Sequence, residues 1–171
     1  MDPLFSKHYQ AYRFTHSRLP ALATVRFPKI TISDNGDEYF ENLWRAIDSS
    51  KDYVWVVMYH FDDTRIGQIT LHKLTEAVKR GVKVSILHDV LTSELDKNLA
   101  KDFRKFGGLD HRLSAMYKLW NIPTRRYFKR DHEKLIVADD KIFLGSANIS
   151  VDYARKLLLI HRQEAWSELF L

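Results

Sequence analysis

Cysteine is absent from this chain, which excludes disulfides, thiolate metal sites and a cysteine nucleophile. The 8 histidines are scattered without His-Glu-x-x-His or comparable ligand spacing, so neither a metal nor any other cofactor is expected. No apolar run reaches the roughly 18 residues needed to span a membrane. Internal repeats and low-complexity tracts are missing as well. Acidic residues are missing from one region. Pro3 to Ser33 contains none, while Lys7, Arg13, Arg18, Arg26 and Lys29 are basic and Phe5, Tyr9, Tyr12, Phe14 and Phe27 are aromatic. This opening stretch reads as a mitochondrial presequence, a membrane-surface anchor or an ordinary basic extension. It lacks the continuous apolar core of a secretory signal.

What is present fits one compact unit. A chain of 171 residues is about one domain and long enough to bury a substantial core. The expected division is a basic aromatic extension over 1–28 and a single domain over 29–171. A formal net charge of +5 favours anionic partners, nucleic acid or acidic lipid surfaces, without choosing between them.

From Lys29 the rhythm is α/β. Lys29 to Ser33 reads as a short strand. Asp34 or Asn35 caps a helix with the apolar stripe Phe40, Leu43, Trp44 and Ile47. Tyr53 to Phe61 reads as a buried strand, Arg65 to Arg80 as a helix stopped by Gly81, and Val82 to His88 as the next strand. A charged helix from about Ser93 to Phe106 ends at Gly107-Gly108. Strands alternating with helices predict an α/β fold, a mixed and mainly parallel sheet flanked by helices and joined later by an antiparallel hairpin.

The most informative stretch is Asp131 to Asn148, DHEKLIVADDKIFLGSAN. It holds His132, Lys134 and Asp139 as His-x-Lys-x4-Asp, then Gly145, Ser146 and Asn148 as Gly-Ser-x-Asn. The first pattern alone arises by chance in roughly one chain in a hundred of this length, and the second makes coincidence far rarer. The residues are chemically coherent. Imidazole can attack phosphorus, the ammonium can neutralise phosphate oxygens, and the hydroxyl and amide can orient them. Leu135 to Ala138 and Ile142 to Leu144 are apolar runs of strand type around a turn at Asp139-Asp140-Lys141. A hairpin centred on residue 140 sets His132 opposite Asn148 and Lys134 opposite Ser146, so that all four share one face. Asp139 falls in the turn, with an orienting or structural role.

These residues resemble the HKD motif of the phospholipase D superfamily, which includes phospholipases, cardiolipin synthases and related phosphatidyltransferases, and phosphodiesterase nucleases. The resemblance covers about residues 30 to 153. YFENLWRAIDSSKDYVWVVMYHF and RGVKVSILHD are similar to the first half of a cardiolipin synthase-type phosphatidyltransferase. The resemblance implies a phospholipase D-like half with one HKD hairpin. It also implies metal-free two-step phosphodiester chemistry through a phosphohistidine, with catalytic His132, Lys134 and Asp139 and with Ser146 and Asn148 on the substrate phosphate. Two departures stand out. Asp139 and Gly145 enclose five residues where the family usually has six. The family also builds its site from two motifs, whereas one is present here and only 23 residues follow Asn148. The second histidine is then expected from a homodimer or from a second HKD half.

Other candidates lie around this motif. His60, with Asp62 and Asp63, falls at a strand end where α/β folds place ligands, as do His88 and Asp89. Each reads more readily as part of a strand-end turn. Arg125, Arg126, Lys129 and Arg130, with Tyr127 and Phe128 interleaved, suit a lipid head group, a nucleic-acid backbone or a solvated surface. Leu157, Leu158, Ile160, Trp166 and Leu169 form a core or interface stripe on an expected tail helix. The functional expectation is phosphodiester transfer or hydrolysis on phospholipid by an intracellular, membrane-associated protein. The alternatives are a single-motif nuclease acting on nucleic acid and an incomplete half that binds anionic ligands without turnover.

Overall fold

A computed structural model describes residues 29–89, 91–113 and 132–154. The described fold belongs to one compact unit beginning at Thr31. Helix α1 (Gly36–Ser49) starts where Asn35 accepts a hydrogen bond from the Asp37 amide, a side-chain cap for one of the helix's orphan donors. Its Phe40, Leu43 and Ile47 are fully buried. Strand β1 (Tyr53–Met58) follows, then helix α2 (Arg65–Lys79) and strand β2 (Lys83–Asp89). Gly81, at φ +93°, takes the left-handed conformation that ends α2. Helix α3 (Lys97–Lys105) is capped by Asp96, whose carboxylate accepts from the Asn98 and Leu99 amides. Strands β3 (Leu109–Leu113), β4 (Lys134–Ala138) and β5 (Lys141–Leu144) complete the sheet, followed by a single 3-10 turn at Val151–Tyr153.

The sheet order is β3-β2-β1-β4-β5. β1, β2 and β3 run parallel, while β4 pairs antiparallel with β1 and with β5. The expected α/β architecture is therefore present, with β1 in the middle. Val54, Val56 and Met58 of β1, Val84 and Ile86 of β2, and Ile136 and Ala138 of β4 join the helix stripes in one buried cluster. Each fully buried large aliphatic or aromatic side chain there contributes roughly 1.5–3 kcal/mol. The alternate positions face the other side, where Trp55, Ile142 and Leu144 stay exposed.

Several expectations change. Strand β1 ends at Met58, and Lys29–Ser33 forms no strand beyond one bridge at Ser33. The charged helix begins four residues later than expected, at Lys97, because Asp96 caps it and Ser93 is used elsewhere. Strand β3 had no expectation at all. Its Asp110 is tied to His88 of β2 (Nε2 to Oδ1, 3.0 Å) and to Arg104 of α3. Burial pushes the Asp110 carboxyl up, but the hydrogen bonds from His88 and Arg104 outweigh it and hold it below the ordinary range. Of the tail helix expected from about Asp152, the described residues show only the 3-10 turn, after which Ala154 is extended. Its stripe, the 1–28 extension and the Arg125–Arg130 cluster lie outside the described residues.

Gly67 sits inside α2, where helix propensity alone favours alanine by about 1 kcal/mol. A Cβ there would meet the backbone carbonyl of Asp62, which cannot swing aside as a flexible side chain could. Gly67→Ala is expected to destabilise the chain by about 2 kcal/mol, read as a lower urea midpoint followed by circular dichroism. A midpoint raised by the substitution contradicts this packing.

Candidate active site

The antiparallel register runs from Val54↔Ala138 to Met58↔Lys134. It continues one step further, where the Tyr59 amide donates to the Glu133 carbonyl at 3.1 Å. His132 and Lys134 are thereby delivered to the carboxyl end of β1, the end where open α/β sheets bind ligands. The hairpin itself differs from expectation. Leu135 pairs with Leu144 and Ala138 with Lys141, so the centre lies between Asp139 and Asp140 and Lys134 does not oppose Ser146. The cause is a two-residue turn with Asp139 at φ +51°, the positive φ that such turns need at their first central position and that Asp tolerates. β5 then stops at Leu144. The hairpin alone does not bring Ser146 and Asn148 onto the His132–Lys134 face.

His132 and Lys134 do meet. Lys134 Nζ lies 3.1 Å from His132 Nδ1 and 3.2 Å from the His132 carbonyl oxygen. An ammonium can only donate, so in this arrangement Nδ1 accepts and the neutral imidazole carries its proton on Nε2. The Tyr59 ring lies against the imidazole with centroids 4.3 Å apart and tilted by 47°. Lys134 Nζ is 5.5 Å from the centroid of the same ring, within cation–π range. His132 is exposed. Between the two, burial pushes the Glu133 carboxyl above its usual range.

Asn148 reaches the same strand end by another route. The Ile149 amide donates to the His60 carbonyl at 3.2 Å, and the Asp62 amide donates to the Ile149 carbonyl at 3.2 Å. Asn148 Nδ2 donates to the Tyr153 hydroxyl at 3.1 Å, while its Oδ1 is buried without a hydrogen-bond partner. Ser146 is exposed beyond the end of β5. His60 Nδ1 contacts the Thr92 carbonyl, and its Nε2 is 3.8 Å from Asp62 Oδ2, which leaves it among strand-end loop contacts. His88 serves the Asp110 pair, and buried Asp89 accepts from the amides of Leu91 and Thr92 at 2.8 and 3.1 Å. Arg130 lies outside the described residues. Among the described residues no group of three His, Cys, Asp or Glu side chains could hold a metal ion.

Asp139 is not part of this patch. It lies at the far end of β4, about 17 Å of strand from Lys134. There its carboxylate accepts from the amides of Lys51, Asp52 and Tyr53 at 2.8, 3.1 and 2.9 Å. The Tyr53 hydroxyl donates to the Asp139 carbonyl at 3.0 Å. These contacts fasten the hairpin turn to the loop that enters β1. Sequence reasoning passed over Tyr59. Its signal was an aromatic residue at the end of the apolar run VWVVM.

Residues 43–162 match the family described as "Cardiolipin synthase, PLD-like domain". The chain belongs to this family. The match spans every site residue described above. The cardiolipin synthase-like chain is 29% identical over 129 residues to cardiolipin synthase 2 of Staphylococcus epidermidis, covering 74% of this chain and 26% of that protein. It is 28% identical over 121 residues to cardiolipin synthase 1 of Bacillus cereus, covering 70% and 23%. The chain thus spans about a quarter of the length of these curated relatives. Among solved structures it resembles the phosphatidylserine synthase of Haemophilus influenzae, with TM-score 0.65, 16% identity and coverage of 94% of this chain and 36% of that one. It also resembles NucT from Helicobacter pylori, with TM-score 0.52, 20% identity and coverage of 79% and 76%. At those identities the likeness speaks for the fold alone. These relatives are bacterial, so they lend nothing to a mitochondrial presequence. No described helix is long and apolar enough to cross a membrane.

The Asp139 clamp has a pH signature. Hydrogen bonds from the amides of Tyr53 and Lys51 hold its carboxyl below the ordinary aspartate range. A depressed folded pKa gives stability that is fully present above the unfolded value near 3.9 and is lost as pH falls through the folded value. Asp139→Asn is expected to lower the urea midpoint at pH 6, with the gap to the unmodified chain closing as the pH falls below the ordinary aspartate range. A gap that stays constant with pH contradicts the clamp.

Proposed function

We propose that the chain supplies one half of a phosphodiester-exchange site, with His132 as the reacting imidazole and Lys134 as the cation for the phosphate oxygens. The observation that carries this reading is the exposed His132 with the Lys134 ammonium 3.1 Å from its Nδ1. A phosphate that draws the ammonium onto its own oxygens frees Nδ1. A proton relocated to Nδ1 leaves the Nε2 lone pair available for phosphorus. Attack forms an N–P bond and breaks the P–O bond to the leaving group, whose oxygen takes a proton from a second imidazolium. Water or an alcohol then breaks the N–P bond and returns its own proton to that second imidazole. Lys134, Ser146 and Asn148 meet the negative charge that develops on the phosphate oxygens. Asp139 acts through the geometry of the hairpin.

Phospholipid is the substrate class favoured here, because both the matched family and the curated relatives are named for cardiolipin synthesis. The chain contributes one such histidine, so the second comes from another copy of this chain or from a second half of the same kind. A two-fold axis through the site would present His132 and its copy from opposite sides of phosphorus. Residues 29–171 form the working domain in this reading, at a membrane surface, and follow the basic 1–28 stretch in sequence.

His132→Ala is expected to remove at least about 10³-fold of the turnover of labelled phosphatidylglycerol without loss of fold. The assay is run beside single-stranded DNA digestion and with the mass in solution recorded on the same sample. Turnover of the lipid by a dimer is the expected result. Undiminished turnover in the variant removes His132 from the chemistry. DNA as the only substrate turns the reading to a nuclease, and turnover by a monomer rules out the shared site.

A further inference from the structure

We infer that Tyr59 is the positioning residue of this site, its ring holding His132 in the orientation that presents Nε2 to phosphorus while Lys134 moves between imidazole and phosphate. This rests on His132 being the reacting group.

Three observations lead to Tyr59. Its ring touches both members of the pair, the imidazole at 4.3 Å between centroids and the Lys134 ammonium at 5.5 Å. It is half-buried, yet among the described residues it is neither in the buried hydrophobic cluster nor packed against it. Core filling therefore does not account for an aromatic residue here. Finally, its backbone is held from both sides. The Tyr59 amide donates to the Glu133 carbonyl at 3.1 Å, and the Tyr59 carbonyl accepts from Thr92 Oγ1 at 2.5 Å and Ser93 Oγ at 3.3 Å. The buried Asp89 carboxylate fixes Thr92 in turn, accepting from its amide at 3.1 Å. The turn after β2 thus fixes the place of the Tyr59 ring, and the ring carries that placement to His132.

The need for such a surface follows from the proton and charge movements. In the free site one hydrogen bond, from Lys134 Nζ to Nδ1, orients the imidazole. A phosphate competes for the same ammonium, and once Lys134 turns to it the imidazole loses that restraint when it must be aligned for attack. The tilted contact with the Tyr59 ring does not depend on where the ammonium points. Lys134 can exchange partners while remaining over the ring face, which attracts a cation throughout. Tyr59 should therefore act on kcat rather than KM, because it orients the nucleophile and does not touch the phosphate.

The test compares Tyr59→Leu and Tyr59→Phe with the unmodified full chain, using labelled phosphatidylglycerol and proton NMR of the His132 ring. The His132 resonances are assigned by their disappearance in His132→Asn. Tyr59→Leu is expected to lower kcat by about 10- to 100-fold with little change in KM, and to move the His132 ring protons downfield as the ring current is lost. Tyr59→Phe, which keeps the ring, is expected to stay within about threefold of the unmodified kcat and to leave those resonances in place. Equal kcat in Tyr59→Leu overturns the proposal. An equal loss in both variants assigns the effect to the hydroxyl and overturns it too. His132 resonances that do not move in Tyr59→Leu overturn it whatever the activity. Should the unmodified chain turn over no phosphodiester while its His132 protons carry the ring shift, a site completed by copies of this chain fails, and the orientation claim stands on the resonance alone.

Discussion

The pairing of β4 with β1 is the constraint on which the rest of this structure depends. β1 takes a parallel neighbour, β2, on one side and an antiparallel one, β4, on the other. The antiparallel seam is fastened at both ends. At one end the Asp139 carboxylate gathers three backbone amides from the loop entering β1. At the other the Tyr59 amide meets the Glu133 carbonyl. A slip of one residue would exchange Ile136 and Ala138, which are buried in the core, for Leu135 and Val137, because side chains alternate across a strand. The same slip would turn Lys134 away from the site. Core packing and site placement are thus set by a single register.

Much of this was legible in the chain. Alternating apolar runs and capped helices announced an α/β sheet, and the two-residue spacing of His132 and Lys134 pointed to a shared face, although β4 begins only at Lys134. Their contact follows from that spacing. The turn position of Asp139 pointed to an orienting role, although its three amide partners lie more than eighty residues away in sequence and leave no local trace. The hairpin centre was displaced by half a residue. Local composition does not distinguish a two-residue turn from a three-residue one when Asp139, Asp140 and Lys141 are all turn formers.

What was not legible came from tertiary pairing. Strand β3 is only Leu-Asp-His-Arg-Leu, with charged residues where a strand signal would be apolar. It is held by His88 and Arg104 closing on Asp110, which no periodicity reveals. Asn148 is placed through Ile149 pairing with His60 and Asp62, not through the hairpin. Tyr59 gained its place from Thr92 and Glu133, on two different segments. Each case needs knowledge of which segments become neighbours, and a pattern in one segment cannot contain that.

Membership of the cardiolipin synthase, phospholipase D-like domain family and the His132–Lys134 contact lead to one chemical claim, that exchange at phosphorus proceeds through a covalent bond to His132. Stereochemistry tests this most directly. A phosphorothioate analogue of phosphatidylglycerol of known configuration at phosphorus would be turned over in the presence of an alcohol acceptor, and the configuration of the product determined. Two successive in-line displacements predict overall retention. Inversion would show a single direct displacement and would contradict the account.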